Sequence, residues 1–136
     1  MLQSNFVQQR VFIVGDGSLF DEGITHLLTH ETKFLVSHAT YSDDLAFLNI
    51  IESDRPDVIL VNESGSLDTK RILDSVLPHP IVMGLRIVVV RLHNNEIDVY
   101  AGPTFVAGKM SYRPRRIIIK TGDDLLNTVR RKHNVQ

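Results

Sequence analysis

The chain has 136 residues, 43% of them hydrophobic and 23% charged, with a net charge of -1 and no cysteine. That length suits one domain around a single core. Near-balanced charge gives no general reason to expect nucleic-acid or membrane-surface binding, and the absence of cysteine excludes a disulfide framework and a thiolate metal site.

No apolar run is long enough to cross a bilayer. Met1 to Arg10 lacks the apolar centre of a signal peptide. The expected location is therefore the cytoplasm, with no membrane partner. Residues 1–9 read as a flexible leader to one domain spanning 1–136.

Arg10 to Val14 is a short run rich in β-branched residues, closed by Gly15-Asp16-Gly17. It predicts a buried strand ending in a tight loop. Ser18 to His30 places Leu19, Phe20, Ile24, Leu27 and Leu28 at helical spacing. Ser18 is the N-cap candidate there, with Asp21 and Glu22 in the first turn. Lys33 to Ala39 predicts a second strand. Ser42 to Ser53 predicts a second helix with Asp43 and Asp44 at its start. Asp57 to Val61 is nearly all apolar, as expected of a strand buried on both faces.

Leu67 to Leu77 predicts a short helix stopped by Pro78 and Pro80. Leu85 to Val90 predicts a fourth strand and Ile117-Ile118-Ile119 a fifth. Thr121 to Lys132 predicts the last helix, with Leu125, Leu126 and Val129 on one face. Alternation of strand and helix predicts an α/β fold, a doubly wound five-stranded parallel sheet with helices on both faces.

Between Asn94 and Arg116 the pattern changes. Gly102-Pro103, Gly108 and Pro114 prevent a long helix. Asp98-Val99-Tyr100 and Thr104-Phe105-Val106 fit a hairpin or an extended loop instead. Tyr100, Phe105, Met110 and Tyr112 either form a binding surface or cover core left bare by a shortened helix. Both readings stand at this point.

Several sequence features have a plain reading beside a chemical one. Gly15-Asp16-Gly17 precedes a helix, where phosphate loops occur, but Phe20 stands where a dinucleotide fingerprint needs its third glycine. A simple turn accounts for it. His26 and His30 lie one helical turn apart with Leu27, Leu28 and Thr29 between them, which is not a zinc-protease pattern. Ser64-Gly65-Ser66 is no nucleophile elbow. Arg113, Arg115 and Arg116 with Tyr112 form a local basic cluster, a solvated loop in preference to a nucleic-acid contact, with a partner's acidic patch as the other reading.

Three segments together resemble a known family. Val11 to Ile24, with Leu19-Phe20 and Gly23, resembles the opening of the response-regulator receiver domains that precede LuxR-type DNA-binding domains, the NarL-like regulators. Arg55 to Val61 resembles their third strand, and Ile117-Ile118-Ile119-Lys120 with Leu125-Leu126 resembles their end. The resemblance runs from about Arg10 to Arg131 and is weak between Asn94 and Arg116. It implies a CheY-like, flavodoxin-like sheet with an altered fourth-helix region.

The resemblance also implies a phosphorylation pocket, and here the chain departs from it. The family holds magnesium with two acidic residues after the first strand; this chain has Gly15 and Asp16. The acceptor aspartate is replaced by Asn62, and the hydroxyl residue after the fourth strand by Arg91. Lys120 alone is kept. One carboxylate and one amide make a poor magnesium site, and an amide is a poor nucleophile toward phosphorus. No catalytic residue, metal or cofactor is therefore expected. The vestigial pocket is expected to hold an ion pair of Asp16 with Lys120 or Arg91, unless it has simply drifted.

The expected function is a phosphorylation-independent regulatory module that is not an enzyme. It would bind protein through Tyr100, Phe105 and Tyr112, as a homodimer in the first instance, and serve as the N-terminal part of a transcriptional regulator. DNA would be reached only through a domain not present in this chain. The alternatives are a sensor of a nucleotide or other anion held near Gly15-Asp16-Gly17 and Lys120, and an atypical two-component phosphoacceptor.

Overall fold

Three apolar runs dictate the centre of the molecule. In the computed structural model, β1 (Gln9–Gly15), β3 (Val58–Asn62) and β4 (Arg86–Arg91) lie side by side and parallel. All five residues of β3 are buried, as are five of the seven in β1. The structure describes residues 8–15, 18–31, 33–41, 43–63, 69–77, 85–91, 94–101, 104–106, 108–111 and 113–130. Asp16, Tyr112 and the Ser64-Gly65-Ser66 loop named above lie outside them.

β2 (Phe34–Thr40) pairs with the outer edge of β1. Helix α1 (Leu19–Thr29) crosses between these strands, and α2 (Asp44–Asp54) and α3 (Thr69–Val76) flank β3 in sequence. The strand order β2-β1-β3-β4 is that of flavodoxin-like doubly wound sheets.

Alternation along each buried strand feeds two core layers. Val11, Ile13, Val58, Leu60, Val88 and Val90 pack under α1 and under the final helix α4 (Gly122–Val129). Phe12, Val14, Ile59, Val61, Ile87 and Val89 pack under α2 and α3. Each of these side chains is essentially solvent-free, so truncating one such as Leu60 to alanine costs about 2–5 kcal/mol.

The caps follow the sequence signals. The Ser18 hydroxyl accepts from the Asp21 N–H at 3.4 Å, and Asp43 accepts from Ala46 N–H at 2.8 Å. Thr121 and Asp124 form a reciprocal capping box on α4. The Arg86 guanidinium donates to the Thr128 carbonyl at 2.9 Å and to that of Val129, at the end of α4 where a cation suits the dipole.

The sheet differs from the five-stranded parallel expectation. It has six strands, and two of its pairings are antiparallel. After β4 the chain reverses at Asn95, whose φ of 55° lies in the left-handed region that asparagine tolerates. It then returns alongside β4 as β5 (Glu96–Tyr100). Ile97 and Val99 enter the layer under α1 and α4, while Glu96, Asp98 and Tyr100 face the other side. β8 (Arg115–Ile118) pairs antiparallel with β5 and forms the sheet edge.

Between β5 and β8, β6 (Thr104–Val106) and β7 (Lys109–Ser111) make a separate two-stranded hairpin turning at Gly108, φ 79°. The segments expected to pair with each other, 98–100 and 104–106, thus belong to different sheets. Phe105 stands opposite Met110 in that hairpin.

Candidate functional site

In an open α/β sheet, ligands bind beyond the carboxyl ends of the strands, where strand order reverses. That point here lies between β1 and β3. Gly15 ends one strand and Asn62 the other. Both are turned toward the α1 layer by the alternation that sends Val11, Ile13, Val58 and Leu60 there.

The space above Gly15 is filled by Asp21. This residue sits in the first turn of α1 and is 1% exposed. A Cβ built on Gly15 would overlap the Asp21 carboxylate, so the bare glycine is what lets the acid lie against the sheet. Asn62, 0% exposed, donates its side-chain amide to Asp21 Oδ1. His38 on β2 brings Nε2 to 3.7 Å from Asp21 Oδ2. Asp21 thus bridges the heads of β2, β1 and β3. The Asn62 Oδ1 atom is buried and unpartnered.

The chemistry of this arrangement is restrictive. An amide and a carboxylate make one charge-assisted hydrogen bond, about twice as strong as a neutral one. A carboxylate in place of Asn62 would set two negative charges in contact in a buried site, which forces one to hold a proton. Asn62 and Asp21 therefore form a matched pair. Sequence reading had assigned Asp21 only to the helix dipole. The missed signal was the conjunction of Gly15 and Asn62: one strand end without a side chain beside another offering a buried donor.

The two other described pocket residues, Arg91 and Lys120, go elsewhere. Arg91 ends β4 on the opposite face of the sheet from Asn62. Its guanidinium donates to Asp98 and, at 3.1 Å, to Glu63. Asp98, 2% exposed, also accepts from Arg116 Nε at 2.9 Å and Nη2 at 3.2 Å. Arg116 Nη1 lies 3.7 Å from Glu96. Burial by itself would raise the Asp98 carboxyl, but hydrogen bonds from Arg116 and Arg91 outweigh it and hold that group below the usual carboxylate range. The same contacts, working against burial, raise Arg91. Burial, then the Asp98 charge, raises the Tyr100 phenol.

Lys120 is exposed, and its backbone N–H donates to Asp124 at 2.7 Å. Its distance from Asn62 has a topological cause. With β5 between β4 and β8, β8 lies three strands from β3, about 14 Å at roughly 4.8 Å per strand. The expected ion pair of Asp16 falls on a residue outside those described; Arg91 itself pairs with Asp98 and Glu63. Of the four described pocket residues, Gly15 and Asn62 come together.

Of the expected interaction residues, Tyr100 is half-buried against the α2 and α3 layer. The His26 and His30 rings meet at a 60° tilt with centroids 4.2 Å apart on the exposed side of α1. Among the described residues no group of three or more His, Cys, Asp or Glu could hold a metal, and no helix is long and apolar enough to cross a membrane.

No family model matches the sequence, and no curated protein matches it. Among solved structures the chain is similar to a signal receiver domain, that of NarL from Mycobacterium tuberculosis. Identity is 24% and the TM-score 0.49, over 62% of this chain and 66% of that one. It is also similar to a variant of HypX from Aquifex aeolicus at 10% identity and a TM-score of 0.44, over 83% of this chain and 23% of that one. The functional reading therefore rests on the geometry of the chain itself.

Proposed function

We propose that this chain is a phosphorylation-independent regulatory module of the receiver type, acting by protein–protein contact and not as an enzyme. The observation that carries the reading is the Asp21–Asn62 pair closing the carboxyl ends of β1 and β3 over Gly15. A receiver of phosphate needs a carboxylate nucleophile and a divalent cation at that point. Here the strand end offers a neutral amide already bound to an acid.

The module's output is binding. Self-association or a hetero-complex would use the region around Tyr100 and the β6–β7 hairpin that carries Phe105, with Tyr112 beside it in sequence. In a transcriptional regulator, DNA would be contacted by a separate domain.

Incubation with acetyl phosphate or phosphoramidate and magnesium, followed by intact-mass measurement, tests the first part. The mass is expected to stay unchanged. A hydroxylamine-labile gain of one phosphate overturns the proposal. Sedimentation velocity tests self-association, which is expected to give a dimer.

A further inference from the structure

The basic cluster near the C-terminal strand has no part in the site above. Arg113, Arg115 and Lys120 are exposed and make no side-chain ion pair among the described residues. Arg116, in contrast, is committed to Asp98 and Glu96. These three cations flank β8, which pairs with β5 on one side and, among the described residues, with no strand on the other.

The register tells which backbone groups point away from β5 and lack a strand partner among the described residues. Ile119 N–H donates to the Asn95 carbonyl at 2.8 Å. In an antiparallel ladder the hydrogen-bonded pairs alternate. Positions 117 and 115 therefore bond inward to 97 and 99, and the N–H and C=O of Arg116 and Ile118 point outward. On one face of this edge stands Arg115. On the other stands Ile118, a large apolar side chain left 58% exposed.

We propose that the outer edge of β8 binds an extended acidic segment of a partner protein, added to the sheet as a seventh strand. The rest of the chain is acidic enough to bring the net charge to -1, so the positive character is local to this edge. An added strand would satisfy the outward groups of Arg116 and Ile118. Residues facing opposite sides alternate along it. Those on the Arg115 face would be acidic, and those on the Ile118 face apolar. A second copy of β8 fits poorly, because a two-fold would bring the same arginines together. Nucleic acid would use the cations and leave the edge hydrogen bonds and Ile118 unused. The inference rests on the reading of the chain as a protein-binding module.

The test uses a fluorescein-labelled peptide of four Val-Glu repeats and the whole chain, read by anisotropy. Saturable binding is expected, weakened by added salt. Three controls decide the mechanism: the same peptide with Lys for Glu, the same peptide N-methylated at alternate residues, and a thymidine 15-mer. Neither control peptide should bind, because one reverses the charge and the other cannot donate to the edge. The double variant Arg113→Glu/Arg115→Glu, checked for an unchanged circular dichroism spectrum, should bind roughly 3- to 30-fold more weakly.

Equal binding of the N-methylated peptide overturns strand addition. Tighter binding of the oligonucleotide overturns the choice of partner, as does a dimer that the double variant abolishes. No binding of the Val-Glu peptide at all overturns the proposal. None of these outcomes bears on the phosphodonor result, so the two readings fail separately.

Discussion

Placing an aspartate at the end of β3 should damage this protein in a pH-dependent way. In Asn62→Asp a second carboxylate faces Asp21, and neither position is more than 1% exposed. The two charges cannot both persist in contact, so the folded variant holds a proton that the unfolded chain releases near the ordinary carboxylate range. The shared carboxyl thus has a folded-state pKa raised above its unfolded value. Its stability contribution is fully present below the unfolded pKa and is lost as pH rises toward the folded pKa. Over that window the variant should lose about 1.4 kcal/mol per pH unit relative to the parent chain. Urea unfolding at pH 5 and pH 8 reads this directly. The swap Asp21→Asn/Asn62→Asp restores one acid and one amide, and it should recover most of the loss and abolish the pH dependence. Equal destabilisation of Asn62→Asp at both pH values, with no recovery in the swap, would refute the Asp21–Asn62 pairing.

Two further perturbations follow from the same geometry. Asp98→Ala leaves Arg91, whose side chain is 17% exposed, with Glu63 as its one remaining carboxylate partner, while Arg116 at 56% can rehydrate. The loss should be about 3 kcal/mol at pH 7, the lower end for breaking a buried pair, by urea unfolding. Because the Asp98 carboxyl is held below its ordinary range, the gap between parent and variant should persist above the unfolded pKa and close as pH falls through the folded one. Gly15→Ala puts a methyl into the Asp21 carboxylate and should cost about 1–3 kcal/mol. Adding Asp21→Ala should remove that steric part of the loss, a coupling that a double-mutant cycle measures.

Sequence patterning was sufficient where one physical demand dominated. The run Val58-Ile59-Leu60-Val61 admits only a doubly buried strand, and Ser18, Asp43 and Thr121 mark the starts of their helices because each offers an oxygen to an orphan N–H. Glu96 to Tyr100 was harder. It alternates polar and apolar residues but carries two acids, which disfavour a strand. It becomes one because Asn95 turns the chain and because Asp98 finds two guanidiniums, Arg91 from the previous strand and Arg116 from the next. That pairing joins residues seven and eighteen positions apart, beyond the reach of local periodicity. Asp21 was hidden for a similar reason. An acid in a helix's first turn has an adequate local explanation, and only the facing Gly15 and Asn62 give it a second one.

β5 separates the strand ends of the candidate site from the sheet edge. With β5 between β4 and β8, Lys120 follows a strand three spacings from β3. A carboxylate at position 62 would then lack a nearby lysine, and an amide bound to Asp21 needs none. β8 is the sheet edge, on which Arg115 and Ile118 are exposed. Deleting residues 94–114 would not create a phosphate-receiving pocket: Asp21 would still cover Gly15, and the sheet would lose the strand whose Asp98 binds Arg91 and Arg116.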